Sequence, residues 1–169
     1  QWICHERNGE MMKKAFVFRR GHHGAASPKV GTRSDIGFFV RSAWEANMVR
    51  FYRKTGTCFI YEPCEFEFVG LKRGNRFYTP DFYLPKEGVY VELKGFLDKQ
   101  SFTKLKRFLQ YHPKEAAKLR IIIGRVRRKD KISLTKEAEA LVKVGYRVNQ
   151  LQSYVEIAKV FSFLPNWEH

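Results

Sequence analysis

Hydrophobic and polar positions change rhythm several times along the chain, and each change marks an element. Over residues 37–54 the spacing is helical: Trp44, Met48, Phe51 and Tyr52 fall at i, i+4, i+7 and i+8 and form one apolar stripe. Ser42 stands three residues before Glu45, the spacing of a capping box, and Gly56 closes the helix. Residues 58–69 alternate as strand material broken by Pro63, with Phe66 and Phe68 on one side and Glu65 and Glu67 on the other. Residues 70–75 (GLKRGN) read as a basic hairpin loop. A second helix is expected from about Lys99 to Tyr111, with Phe102, Leu105, Phe108 and Leu109 inward; His112-Pro113 stops it. Leu119–Ile123 is a near-continuous apolar run, as a buried central strand requires. Residues 135–144 predict a helix ending at Gly145, and residues 146–151 a short strand. Ser153 with Glu156 offers a capping box ahead of a last helix over 154–163, whose aromatics, with Trp167, would pack on the core or on a second subunit. Helix, three strands, helix, strand and then additions make an α/β sandwich around a mixed sheet.

The stretch between these blocks carries the chemistry. Residues 76–95 (RFYTPDFYLPKEGVYVELKG) form two short strands, rich in aromatic and β-branched residues, around a Pro85–Gly88 turn signal. A hairpin closing symmetrically about Lys86 and Glu87 sets Asp81 opposite Glu92. Alternation places Val89, Val91 and Leu93 on one face and Tyr90, Glu92 and Lys94 on the other. Facing carboxylates repel, and a divalent cation between them removes that repulsion, because hard cations take carboxylate oxygens. Lys94 projects from the same face and reaches whatever the acids hold. Two acids and a lysine on one exposed face suit metal-assisted hydrolysis; an ordinary solvated strand face is the plainer alternative. Thr79 would lie opposite Lys94 in this register and support it by hydrogen bonding.

Charge narrows the function. Thirty-two Lys and Arg stand against seventeen Asp and Glu, a formal net charge of +15 in 169 residues, the balance of a nucleic-acid binder. A basic membrane-surface protein would share it, but no apolar run approaches bilayer length. The phosphate-contacting candidates are Lys72, Arg73 and Arg76 around the hairpin loop, Lys104 and Arg107 on the outer face of the second helix, and Arg125, Arg127 and Arg128 in a loop with five basic residues in seven. Three cysteines without framework spacing point to a reducing interior, with Cys58 and Cys64 as buried thiols. Residues 1–36 read as a basic arm or the end of an upstream module, and residues 37–169 as the catalytic domain; Gln1 in place of Met suggests a fragment of something longer. Cys4-His5 would suit the tail of a zinc module whose other ligands lie upstream of Gln1. A complete site needs four ligands and this segment does not supply them, so an arm on nucleic acid or a partner, or a flexible linker, fits it better.

Pro80-Asp81, ten residues, then Glu92-Leu93-Lys94-Gly95 resembles the signature of the PD-(D/E)xK, or restriction-endonuclease-like, nuclease superfamily. With residues 41–52 (RSAWEANMVRFY), Tyr61-Glu62-Pro63 and residues 78–84 (YTPDFYL), it is similar to the small phage and mobile-element branch. The resemblance covers about residues 41–123. It implies an αβββαβ core with extra C-terminal helices, and metal-dependent cleavage of DNA in the cytoplasm of a bacterial host, in phage or mobile-element DNA processing. Mg²⁺, or Mn²⁺ in its place, would be held by Asp81, Glu92 and the Leu93 carbonyl. Glu45 would add a third carboxylate, unless it only caps its helix. Lys94 would orient or deprotonate the water. A homodimer with paired sites would suit junction resolution or double-strand cleavage, and a monomer would nick. An idle DNA-binding module of the same fold and an RNA nuclease are the alternatives.

Overall fold

The structure, a computed structural model, describes residues 2–3 and 30–169. Cys4-His5 and most of the basic passage after it, with the zinc and arm readings attached to them, lie outside the described residues.

One mixed sheet organises the molecule. Its strands run in the order β1 (Trp2–Ile3), β4 (Phe59–Tyr61), β7 (Phe82–Leu84), β8 (Val89–Lys94), β9 (Leu119–Ile123) and β10 (Leu151–Ser153). The β1–β4, β4–β7 and β7–β8 pairs are antiparallel, whereas β8–β9 and β9–β10 are parallel. The fold is thus mixed α/β, as expected. Two small ribbons stand beside the sheet: β2 (Gly31–Arg33) with β3 (Phe38–Val40), and β5 (Phe66–Glu67) with β6 (Phe77–Tyr78).

Period-two alternation along β8 and β9 sends side chains into two apolar layers. On one face, Phe82, Val91, Leu93 and Ile122 pack with Met48, Val49 and Tyr52 of α1 (Ala43–Lys54) and with Ile157 and Phe161 of α5 (Tyr154–Phe161). On the other, Leu119, Ile121 and Ile123 meet Leu105 and Phe108 of α2 (Lys99–Tyr111) and Ala138 and Leu141 of α4 (Lys136–Val144). The short α3 (Pro113–Ala116) starts on the proline that ends α2. The apolar stripe of α1 and the inward Leu105 and Phe108 fall as their spacing requires. The C-terminal aromatics settle on the core: Tyr154 stacks on Trp44 at 3.8 Å, and Trp167 is 9% exposed.

Several boundaries differ from expectation, each for a local reason. The first helix begins at Ala43, because Gly37, at φ +79°, turns residues 33–37 into the β2–β3 hairpin instead. Residue 37 lies inside that hairpin. Ile36 is buried and Arg33 pairs with Glu168 at 2.8 Å, so the folded body includes residues assigned from sequence to the arm. The strand expected over 146–151 is a 3₁₀ turn, Val148–Gln150, followed by β10. Gln150 bends it by donating to the carbonyls of Ala116 and Leu119, both at 2.8 Å. Ser153 accepts from the Val126 N–H at 2.9 Å and gives α5 no side-chain cap, so the expected Ser153–Glu156 box does not form. Cys64 is a free thiol, but Cys58 is disulfide-bonded, contrary to the reading of both as thiols.

Candidate active site

The β7–β8 hairpin pairs Phe82 with Val91, Tyr83 with Tyr90 and Leu84 with Val89. One step further along this register brings Asp81 alongside Glu92, as the turn geometry predicted. The pair does not face openly across the ladder. Asp81, one residue before β7 begins, instead accepts the Leu93 N–H on Oδ2 at 2.6 Å, near the end of β8. Its backbone carbonyl accepts from Glu62 N at 2.9 Å, which ties it to the end of β4 as well.

Glu92 is not on an exposed face. It is 3% exposed beneath the α2 layer, and both of its oxygens are engaged. Lys94 Nζ lies 2.5 Å from Oε1, and the Tyr78 hydroxyl donates to Oε2 at 2.9 Å. Burying a carboxylate costs heavily unless it is paired and hydrogen-bonded, and these two groups meet that demand. Thr79 gives Lys94 no hydrogen bond; the lysine's partner is Glu92.

Glu45 comes from the layer on the opposite side of the sheet, in the first turn of α1. The capping reading holds: Ser42 Oγ accepts the Glu45 N–H at 3.1 Å and donates back to Oε1 at 2.9 Å. Oε2 accepts the Arg41 N–H at 2.9 Å and the Tyr61 hydroxyl at 2.5 Å. Glu45 nevertheless belongs electrically to the site. The Asp81 carboxyl is pushed well above the usual range by burial first, then by the charges of Glu92 and Glu45. For Lys94, burial opposes the charged form, but Glu92, Asp81 and Glu45 outweigh it and hold the ammonium above its ordinary value.

Three residues of this centre enter the sequence reading only as part of the family resemblance, with no role assigned to them. Tyr78 and Tyr61 supply the hydroxyls on Glu92 and Glu45, contacts that periodicity does not reveal. Glu62 adds a fourth acid, half-buried and paired with Arg41 at 2.7 Å. It stands at φ +45°, which costs a non-glycine residue energy.

The donor set suits a hard divalent cation in atom type and charge: three carboxylates answered by one lysine, with Asp81 oxygens carrying a single protein hydrogen bond. Among the described residues, however, no three Asp, Glu, His or Cys side chains stand close enough together to hold a metal ion. Glu92 faces Lys94 instead, and Leu93 engages Asp81 through its N–H.

The basic candidates fall into two groups. Lys72 and Arg73 are exposed in the loop joining β5 to β6, and Arg107 of α2 reaches that loop at the Asn75 carbonyl, 3.3 Å away. Arg76 is paired with Glu67 at 2.7 Å, and Lys104 is half-buried on α2. The loop after β9 is a closed structure rather than a free basic strap. Arg127 donates to the Ile132 carbonyl and Arg128 to that of Leu134, while Asp130 accepts from Ile132 N and Ser133 N. Arg125 is exposed at its start. Among the described residues no helix is long and apolar enough to cross a membrane.

Comparison of the chain with protein-family models, curated proteins and solved structures returned no match.

Proposed function

We propose that this chain is a metal-dependent DNA endonuclease with a restriction-endonuclease-like core. The observation that carries the reading is one hairpin register: Asp81 stands beside Glu92, with Lys94 on that glutamate and Glu45 acting on both Asp81 and Lys94. The main-sheet order α1, β4, β7, β8, α2, β9 supports the αβββαβ core. The charge of +15 supports a phosphate backbone as partner.

Asp81, whose oxygens carry a single protein hydrogen bond, would be the first carboxylate to take Mg²⁺ or Mn²⁺. Glu92, Glu45 and the Leu93 carbonyl would complete the set only after the two glutamates give up their present partners, because among the described residues no three acids stand close enough together as they are. When bound, the ion supplies Lewis-acid polarisation of phosphate oxygens and a clamp on the attacking and leaving oxygens. The chain's own residues do the rest. Lys94 turns from Glu92 toward the phosphate, placing positive charge where negative charge develops and orienting the water. Tyr78 keeps Glu92 in place once Lys94 has left it. Arg107, Lys72 and Arg73 hold the backbone.

A second reading, an idle DNA-binding module, draws on the full engagement of Glu92 by Lys94 and Tyr78. Incubating the protein with labelled supercoiled, linear, single-stranded and four-way-junction DNA, in Mg²⁺, Mn²⁺ or EDTA, separates the two. Metal-dependent cutting lost in Lys94→Ala supports the nuclease. Binding without cutting on every substrate in either metal favours the module.

A further inference from the structure

Phe96 lies two residues beyond Lys94 and is 78% exposed. It makes no ring contact among the described residues. The parallel pairing of Lys94 with Ile123 fixes what lies beside it. One residue on, Gly95 and Gly124 both abut the indole of Trp44, at 3.8 and 3.9 Å from where a side chain would begin. Phe96 follows the first glycine and Arg125 the second, so an exposed ring and an exposed guanidinium leave the same end of adjacent parallel strands. That is the end of a sheet at which ligands of α/β proteins bind.

Leu97, the residue after Phe96, lines an open cavity of about 330 Å³ between the starts of α2 and α4. Leu97, Phe102 and Ala140 give it an apolar lining, and at its rim Lys99 and Lys136 are matched by Asp98 and Glu137. An exposed ring, an arginine and an adjoining apolar cleft are the components that stack unpaired bases, the arginine supplying the positive charge. Paired bases present no free faces to such a platform.

We infer that Phe96 and Arg125 form a stacking platform for an unpaired nucleotide beside the scissile phosphate, with the neighbouring cleft receiving the displaced base. The substrate class is DNA with unpaired bases next to the cut, such as a splayed end, flap or branch. This inference rests on the nuclease reading of the same site.

The test uses the full chain in EDTA, with a blunt duplex, a splayed duplex and an RNA version of the splayed arm. 2-Aminopurine marks the first unpaired position. Wild-type protein is expected to bind the splayed DNA at least roughly fivefold more tightly than the blunt duplex and to quench the probe, since one base–aromatic stack is worth that much. Phe96→Ala should lose the preference and the quenching while keeping blunt-duplex affinity, and Phe96→Tyr should restore both. Ala140→Phe, which fills the cleft and spares the ring, should also reduce the preference. Equal wild-type affinities, an unaltered preference in Phe96→Ala, or tighter binding of the RNA arm would each overturn the inference. Cleavage of the same duplexes in Mg²⁺, with Lys94→Ala as control, keeps the two readings apart. Lys94-dependent cutting with no Phe96 effect sinks the platform alone, and absence of both binding and cutting sinks the nuclease reading with it.

Discussion

Lys94 sits 2.5 Å from Glu92 on a carboxylate that is almost wholly enclosed, so the proposed catalytic lysine neutralises the proposed metal ligand. Removing the lysine leaves a buried charge with only Tyr78 as donor. Lys94→Ala is expected to destabilise the fold by about 3 kcal/mol in EDTA, the cost of breaking a buried ion pair. If Glu92 takes a cation, added Mg²⁺ should raise the melting temperature more in the variant than in the wild type. Thermal melts with and without Mg²⁺ give the answer, and equal shifts in the two proteins would count against a metal at Glu92.

Tyr78→Phe removes one hydroxyl from the same carboxylate without changing the packing against Phe108. A hydrogen bond to a charged group in such a place is worth about 2 kcal/mol. Urea unfolding should show that loss, and a neutral outcome would mean that Lys94 alone satisfies Glu92.

Ser42→Ala tests the double role of Glu45. The helix loses its N-cap, at about 1 kcal/mol, and Glu45 Oε1 loses its donor. Unfolding should report the cap. A disproportionate fall in metal-dependent cleavage would show that the Ser42 contact also positions Glu45.

Acid should loosen the C-terminal end before the rest of the fold. The Arg33 hydrogen bond, above all, holds the Glu168 carboxyl below its ordinary value of 4.5. The Arg50 hydrogen bond does the same for Asp35, whose ordinary value is 3.8. A lowered folded value means that ionisation favours the folded state. This contribution is complete above the ordinary values and disappears as pH falls through the lower folded ones. Melting temperatures should therefore drop between about pH 5 and pH 3, with a shallower slope in Glu168→Gln. Identical slopes would remove the network from the account of acid stability.

The two basic groups should respond differently to charge removal. Lys72→Ala and Arg73→Ala, in an exposed loop, should weaken DNA binding and each lower the salt slope by roughly one unit. Arg127→Ala and Arg128→Ala break bonds to their own loop's carbonyls and should cost stability as well. Binding titrations across salt concentrations, beside melts, distinguish these outcomes.

How much of this was legible in the chain varies with distance along it. The β7–β8 register followed from the Pro85–Gly88 turn, because a tight turn and a period of two leave a hairpin little freedom. The α1 cap, the start and stop of α2 and the burial of Leu119–Ile123 were equally local. What alternation could not reveal is which sheet a strand joins. Phe66–Glu67 leaves the main sheet just after Glu62 and Pro63, and pairs with Phe77–Tyr78 instead.

The sequence by itself therefore determined the helices α1 and α2, the buried strand Leu119–Ile123, the two faces of β8 and the adjacency of Asp81, Glu92 and Lys94. Tertiary structure decided the state of those groups. Glu92 is enclosed because α2 covers its face, and Tyr78 reaches it from a separate ribbon. Glu45 acts on Asp81 although its helix covers the opposite face. Glu168 joins Arg33 and Arg50 across more than a hundred residues. Periodicity reports which side of an element faces inward. It does not report which partner waits there, because burial and electrostatics depend on contacts that only the folded chain brings together.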